Sequence, residues 1–319
     1  MKRERKDKKT GFTIVELLTV MGIIAILIGL LVPALTLVRD YAKEIQQMAQ
    51  FHSIDVGLEM FKTEFGSYPE SNDNKDASGL RPDHTYNPIP YGGANKLAEA
   101  MVGQDMLGFH PNSDFRSDGK YRRLNGDFTN TLEDFDGVYH ADVDDLGNDE
   151  VPAETAEENV ANRKGPFLEL ENANAFEMQD VYEIDYLEEF EIDTLVLCDE
   201  YTAKRHSAKK AGMPILYYRA HKELTIQDSE DFDNILDDVY YYPDNQNLLE
   251  LGLPEDATAD HPLAEGTDAE NSLSFDDMIR NTQVTQVRRP YKADSYILIS
   301  AGKDGVYGTS DDIFNFKKE

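Results

Sequence analysis

Residues 296–316, "YILISAGKDGVYGTSDDIFNF", set hard oxygen donors in a loop behind a short apolar run. Asp304, Asp311 and Asp312 carry carboxylates, Thr309 and Ser310 carry hydroxyls, and Gly302, Gly305 and Gly308 let the backbone turn its carbonyls inward. Calcium takes about six to eight oxygen ligands of this kind, so Asp304, Ser310, Asp311 and Asp312 are the candidate metal ligands, with Ser300 or a carbonyl near it completing the shell. The alternative for the same residues is an acidic hairpin loop held by side-chain-to-backbone turns. A second acidic stretch, "DVDDLGNDE" at 142–150, places Asp142, Asp144 and Gly147 at EF-hand positions one, three and six. Leu146 occupies a ligand position there and no glutamate stands at twelve, so it reads as a solvated acidic loop.

Glu16 is the other chemically marked residue, the only charge between Phe12 and Val38. A charge inside a membrane helix costs about 2.5–3.5 kcal/mol on insertion scales unless it finds a partner. As a helix, residues 12–38 would extend about 40 Å, more than the roughly 30 Å hydrocarbon layer. Residues 2–9 hold six basic and two acidic side chains, a net of +4, and a positive flank of that kind stays cytoplasmic, which places the chain beyond Val38 outside the cytoplasm. Three readings compete: a permanent anchor, a secretory signal peptide cut near Val32 and Ala34, and a segment whose basic leader is clipped before the apolar run. The apolar core exceeds the usual length of about 7–15 residues for a signal peptide and contains Glu16, which counts against the second.

"GFTIVELL" at 11–18 resembles the type IV prepilin motif, in which a prepilin peptidase cuts after a glycine and the new N-terminus is methylated. The resemblance implies that Gly11 precedes the cut, that Phe12 becomes the methylated first residue, that Glu16 is the fifth residue of the mature chain and that Pro33 is the twenty-second, where the family often kinks its helix. Cleavage would create an α-amine one helical turn from Glu16, able to neutralise it within or between subunits. In the family, the glutamate pairs with the amine of a neighbouring subunit during filament assembly. The loop at 302–312 resembles the calcium loop of the major pseudopilin of type II secretion systems, although adjacent Asp311 and Asp312 depart from the alternating acids common there. Many type IV pilins close this region with a disulfide, which a single cysteine, Cys198, forbids.

Beyond the apolar run, Ile45, Met48, Phe51, Ile54, Leu58, Phe61 and Phe65 recur at intervals of three or four, one face of an amphipathic helix. Gly66 and Pro69 stop it. The expected organisation is a leader at 1–11, a long helix at 12–65 that is membrane-embedded to 38 and amphipathic from 39, and an α+β head at 66–319. In the head, 95–107 reads as a helix, and 194–199, 214–220 and 296–301 read as strands of an antiparallel sheet packed on the long helix. Cys198 lies in one of these runs and reads as a buried strand residue.

The net charge of −31 disfavours nucleic acid and makes divalent cations natural companions. The basic cluster "AKRHSAKKAG" at 203–212 reads as an exposed segment that softens self-repulsion. No HExxH, GxSxG or P-loop is present and the seven histidines are scattered, so no catalytic residue is named and an exported hydrolase using paired carboxylates is the weaker reading. What the resemblance implies is a structural subunit, held in the inner membrane with its head in the periplasm, that forms a homo-oligomeric pseudopilus with other pseudopilins and an inner-membrane secretion platform. A type IV pilus subunit for adhesion, motility or DNA uptake is the alternative.

Overall fold

The computed structural model describes residues 13–72, 91–111, 115, 156–182, 194–205, 209–227, 238–254, 256 and 259–318. Gly11, Phe12 and the acidic loop at 142–150 lie outside these, as does part of the basic cluster at 206–208. The chain divides into two compact units, Met1–Ile45 and Gln46–Glu319. A single helix, α1 (Ile14–Phe65), runs through both, as the sequence predicts.

In the first unit, every residue from 13 to 39 is exposed. The helix there is apolar around its circumference and, among the described residues of the unit, nothing else covers it, a pattern that suits lipid or other helices rather than water. By length and composition it can cross a membrane. Pro33 sits inside the helix without ending it.

In the second unit, α1 presents Phe51, Ile54, Leu58 and Phe61 to the core, in agreement with the predicted stripe. The two N-terminal members of that stripe fall elsewhere: Ile45 and Met48 are exposed, and Gln47 and Gln50 take the buried positions. The reason is hydrogen bonding, because the Glu200 amide donates to Gln47 Oε1 at 2.8 Å and Gln50 Nε2 donates to the Cys198 carbonyl at 2.8 Å. An apolar side chain there would forfeit both of these bonds. Gly66, at φ +83°, closes the helix through its amide to the Lys62 carbonyl.

The head follows with α2 (Gly93–Val102), α3 (Ala156–Asn162), α4 (Leu170–Ala173), β1 (Ala175–Glu177), α5 (Met178–Val181), β2 (Leu195–Leu197), β3 (Ala203–Lys204) and β4 (Lys210–Ala211). After β5 (Leu216–Arg219) come α6 (Gln246–Leu249), α7 (Asp268–Ile279), β6 (Tyr296–Ser300) and β7 (Ile313–Phe314). The predicted strands appear as β2, β5 and β6, but the described strands form three small antiparallel sheets, β1–β2, β3–β4 and β5–β6–β7, in place of one. The helix expected over 95–107 ends at Val102, because Gly103 leaves the helical conformation at φ +82° while its amide caps the Glu99 carbonyl.

Strands β5 and β6 are buried on both faces, which is why their sequences lack alternation. Tyr217, Tyr296 and Leu298 face the core made by α1 and α2. Leu216, Tyr218, Ile297 and Ile299 face a second core with Tyr240, Tyr242 and α7 residue Phe275. Cys198, the one cysteine, is buried in that second core as the strand reading expects.

Leu58 is fully buried whereas Met60, on the opposite side of α1, is 51% exposed. Leu58→Ala is expected to destabilise the head by about 2–5 kcal/mol and Met60→Ala by no more than about 0.5 kcal/mol. Urea unfolding followed by tyrosine fluorescence measures both.

Candidate functional site

At the start of α1, Thr13 and Glu16 form a reciprocal cap. The Glu16 amide donates to Thr13 Oγ1 at 3.2 Å, while the Thr13 amide and hydroxyl donate to Glu16 Oε2 at 2.9 and 2.7 Å. This is the capping box, legible as Thr-x-x-Glu but passed over when Glu16 is considered only as a charge seeking an amine. Two amides at the start of the helix thereby find acceptors, that of Thr13 in the Glu16 carboxylate and that of Glu16 in the Thr13 hydroxyl.

The C-terminal loop between β6 and β7 draws some of its predicted ligands together. Thr309 Oγ1 donates to Asp311 Oδ1 at 2.6 Å, and the Asp304 amide donates to Asp311 Oδ2 at 3.0 Å. Asp304 Oδ1 accepts from the Val306 amide at 2.8 Å, and Asp312 Oδ2 accepts from the Gly308 amide at 2.8 Å. Gly302 is required here: at φ +65°, a Cβ would stand 2.2 Å from the Asp311 carbonyl. Ser310 is exposed. Ser300 points away from the loop acids, since its hydroxyl donates to Asp199 Oδ2 at 2.7 Å. Among the described residues, no three His, Cys, Asp or Glu side chains are grouped as a metal cluster. The donors are nonetheless of the hard oxygen type, and Asp312 Oδ1 is buried without a hydrogen-bond partner.

Charge in the loop is held under tension. Burial, with Asp311 and Asp304 nearby, pushes the Asp312 carboxyl up to about 7, against the pull of the Gly308 amide and Lys318. Burial and the bond with Asp311 also raise Asp304. For Asp311 burial acts upward too, but the bonds from Thr309 and the Asp304 amide outweigh it and its carboxyl titrates below the usual range.

Behind the loop stand residues that sequence reasoning missed. Asp199 is fully buried at the end of β2, and burial lifts it to about 6 although Ser300 and the Met213 and Tyr201 amides donate to it. Buried His261 accepts the Tyr307 amide on Nδ1 at 3.2 Å, and burial lowers its imidazole to about 4, leaving the ring neutral near pH 7. A carboxylate closing an apolar strand was the available signal for Asp199; nothing in the spacing pointed to His261.

The two raised carboxyls fix a direction for pH. Unfolded, Asp199 and Asp312 release their protons near about pH 3.9, whereas the folded chain holds them until about pH 6 and 7. Their contribution to stability therefore falls as pH rises between about 4 and 7. Thermal unfolding of the full chain in detergent and chelator is expected to show this fall, and Asp312→Asn to reduce its slope while leaving the share from Asp199.

Comparison with known proteins adds one positive finding. No curated protein and no solved structure matches the chain. Residues 6–32 match the family described as the prokaryotic N-terminal methylation motif, the signal of type IV pilin-like proteins, and the match covers Gly11, Phe12 and the cap at Thr13 and Glu16.

Proposed function

We propose that this chain is a pseudopilin, a structural subunit that is stored in the inner membrane and assembles into a pseudopilus driving type II protein secretion. The observation that carries this reading is the methylation motif at 6–32, which runs into an apolar helix left uncovered among the described residues of its unit. The motif supports a type IV pilin-like signal in general, with processing by a prepilin peptidase. The choice of a secretion pseudopilus over a type IV pilus rests on the single cysteine, buried in the head core, which leaves the C-terminal region without a disulfide.

In this reading, removal of residues 1–11 frees an α-amine on Phe12, and Glu16 exchanges part of its capping role for the amine of a neighbouring subunit. Losing a leader of net charge +4 from a chain of −31 leaves −35, so packed heads repel one another. Calcium at the 302–312 loop would offset that repulsion, with Asp304, Asp311 and Asp312 as its carboxylate ligands and Ser310 and Thr309 as hydroxyl donors. The buried free oxygen of Asp312 supports this choice.

Mass spectrometry of the protein from its native membrane is expected to find residues 12–319 carrying one methyl group; an intact leader overturns the reading. Glu16→Gln should leave the subunit processed but unable to assemble, scored by cross-linking of neighbours. A strain lacking the gene should retain exoproteins within the envelope while surface pili persist, whereas loss of pili with normal secretion assigns the chain to a type IV pilus.

A separate expectation concerns the loop. At pH 7.5, calcium at about 10⁻⁴–10⁻³ M should raise the thermal midpoint of the full chain, and Asp312→Ala should abolish the rise. An equal response from both proteins removes Asp312 from the ligand set.

A further inference from the structure

Helix α2 is buried along its whole length, and one of its residues is a lysine. The Lys96 side chain is 0% exposed. Its Nζ donates to Glu70 Oε1 at 2.7 Å and to Asn72 Oδ1 at 2.9 Å. The rings of Tyr91 and Phe115 stand 5.9 and 5.8 Å from the nitrogen. Neither the processing site nor the C-terminal loop uses this cluster.

Its parts are those of an amide exchange: an amine nucleophile, a carboxylate within hydrogen-bond reach of it, and a carboxamide presented to the same nitrogen. Burial pushes the Lys96 amine below the usual lysine range, opposed by the charges of Glu70, Asp244 and Glu99. Among nucleophilic side chains, a buried lysine gives up its proton comparatively readily. The backbone on either side of Glu70 is also held in place. Tyr217 donates to the Pro69 carbonyl at 2.7 Å, and Ser71 accepts from the Arg219 amide at 3.0 Å while donating to Asp244. Glu70 therefore stands on backbone that strand β5 fixes, with Asn72 next after Ser71 and bonded to a lysine on a helix that the core fixes, which lowers the orientational cost of a reaction between them.

We propose that Lys96 and Asn72 become joined by an isopeptide bond that the chain forms by itself, with Glu70 carrying the proton. Glu70 takes a proton from the Lys96 ammonium, leaving a neutral amine and a neutral carboxylic acid. The amine electron pair attacks Asn72 Cγ, and Glu70 gives its proton to the original amide nitrogen and takes one from the attacking Lys96 nitrogen. The C–N bond to the original amide nitrogen then breaks, with the departing ammonia carrying the proton on Glu70 away as ammonium. Ammonia leaves through the exposed side of Asn72, and the nitrogen of Lys96 becomes the new amide nitrogen. No oxidant, reductant or second reactant is required. The reaction occurs once per chain and links the segment after α1 to the central helix of a head that cannot contain an internal disulfide.

The test is mass spectrometry of the full chain purified in detergent, with peptide mapping. A linked pair of peptides holding Asn72 and Lys96 is expected, lighter than the two separate peptides combined by about 17 Da, the mass of one ammonia. Asn72→Ala and Glu70→Gln should each yield the two peptides unlinked, and Asn72→Ala should lower the thermal midpoint while unfolding remains cooperative. Separate, unmodified peptides from folded wild-type protein overturn the proposal and leave the cluster a buried ion pair. A link that persists in Glu70→Gln overturns the proton-carrying role.

Discussion

A helix that is apolar on every side can persist only where something other than water surrounds it, and among the described residues of the first unit none supplies that cover to residues 14–38. Lipid is one such surrounding, and by length and composition the helix can cross a membrane. This requirement explains why the first turn matters so much. In a low-dielectric setting, each unsatisfied amide at a helix start is costly, and Thr13 with Glu16 meets part of that need within a single chain. The carboxylate that looked like a liability in lipid is thus already employed before any partner arrives.

The second unit solves a different problem, that of a strongly acidic head which must stay folded. Two cores on either side of β5 and β6 carry the apolar burial. Acidic side chains are tolerated where backbone amides face them: Asp199, Asp304, Asp311 and Asp312 each accept at least one amide hydrogen bond. In the loop these bonds leave one Asp312 oxygen buried and unmatched. The loop is a self-supporting turn and at the same time a concentration of negative charge.

Much of this was legible in the sequence, and the reasons for success and failure are physical. The long helix, its stop at Gly66 and the cores of β2, β5 and β6 followed from periodicity and from apolar runs. The exchange of Ile45 and Met48 for Gln47 and Gln50 on the buried face did not, because it depends on two backbone groups at the end of β2 that are distant in sequence. The burial of β5 and β6 on both faces could have been inferred from their unbroken apolar character. The same holds for the start of α7, whose Thr267 and Glu270 form a second capping box. At the C-terminal loop the residue types announced the chemistry, while the hydrogen bonds that commit Ser300 to Asp199 required the fold.

The two glutamines on α1 have a mechanical meaning. Greasy surfaces slide and rotate over one another at little cost, whereas Gln47 and Gln50 engage specific backbone atoms beyond β2, like keys in a shaft. Twist applied to residues 46–65 is therefore delivered to the head instead of being lost in slippage.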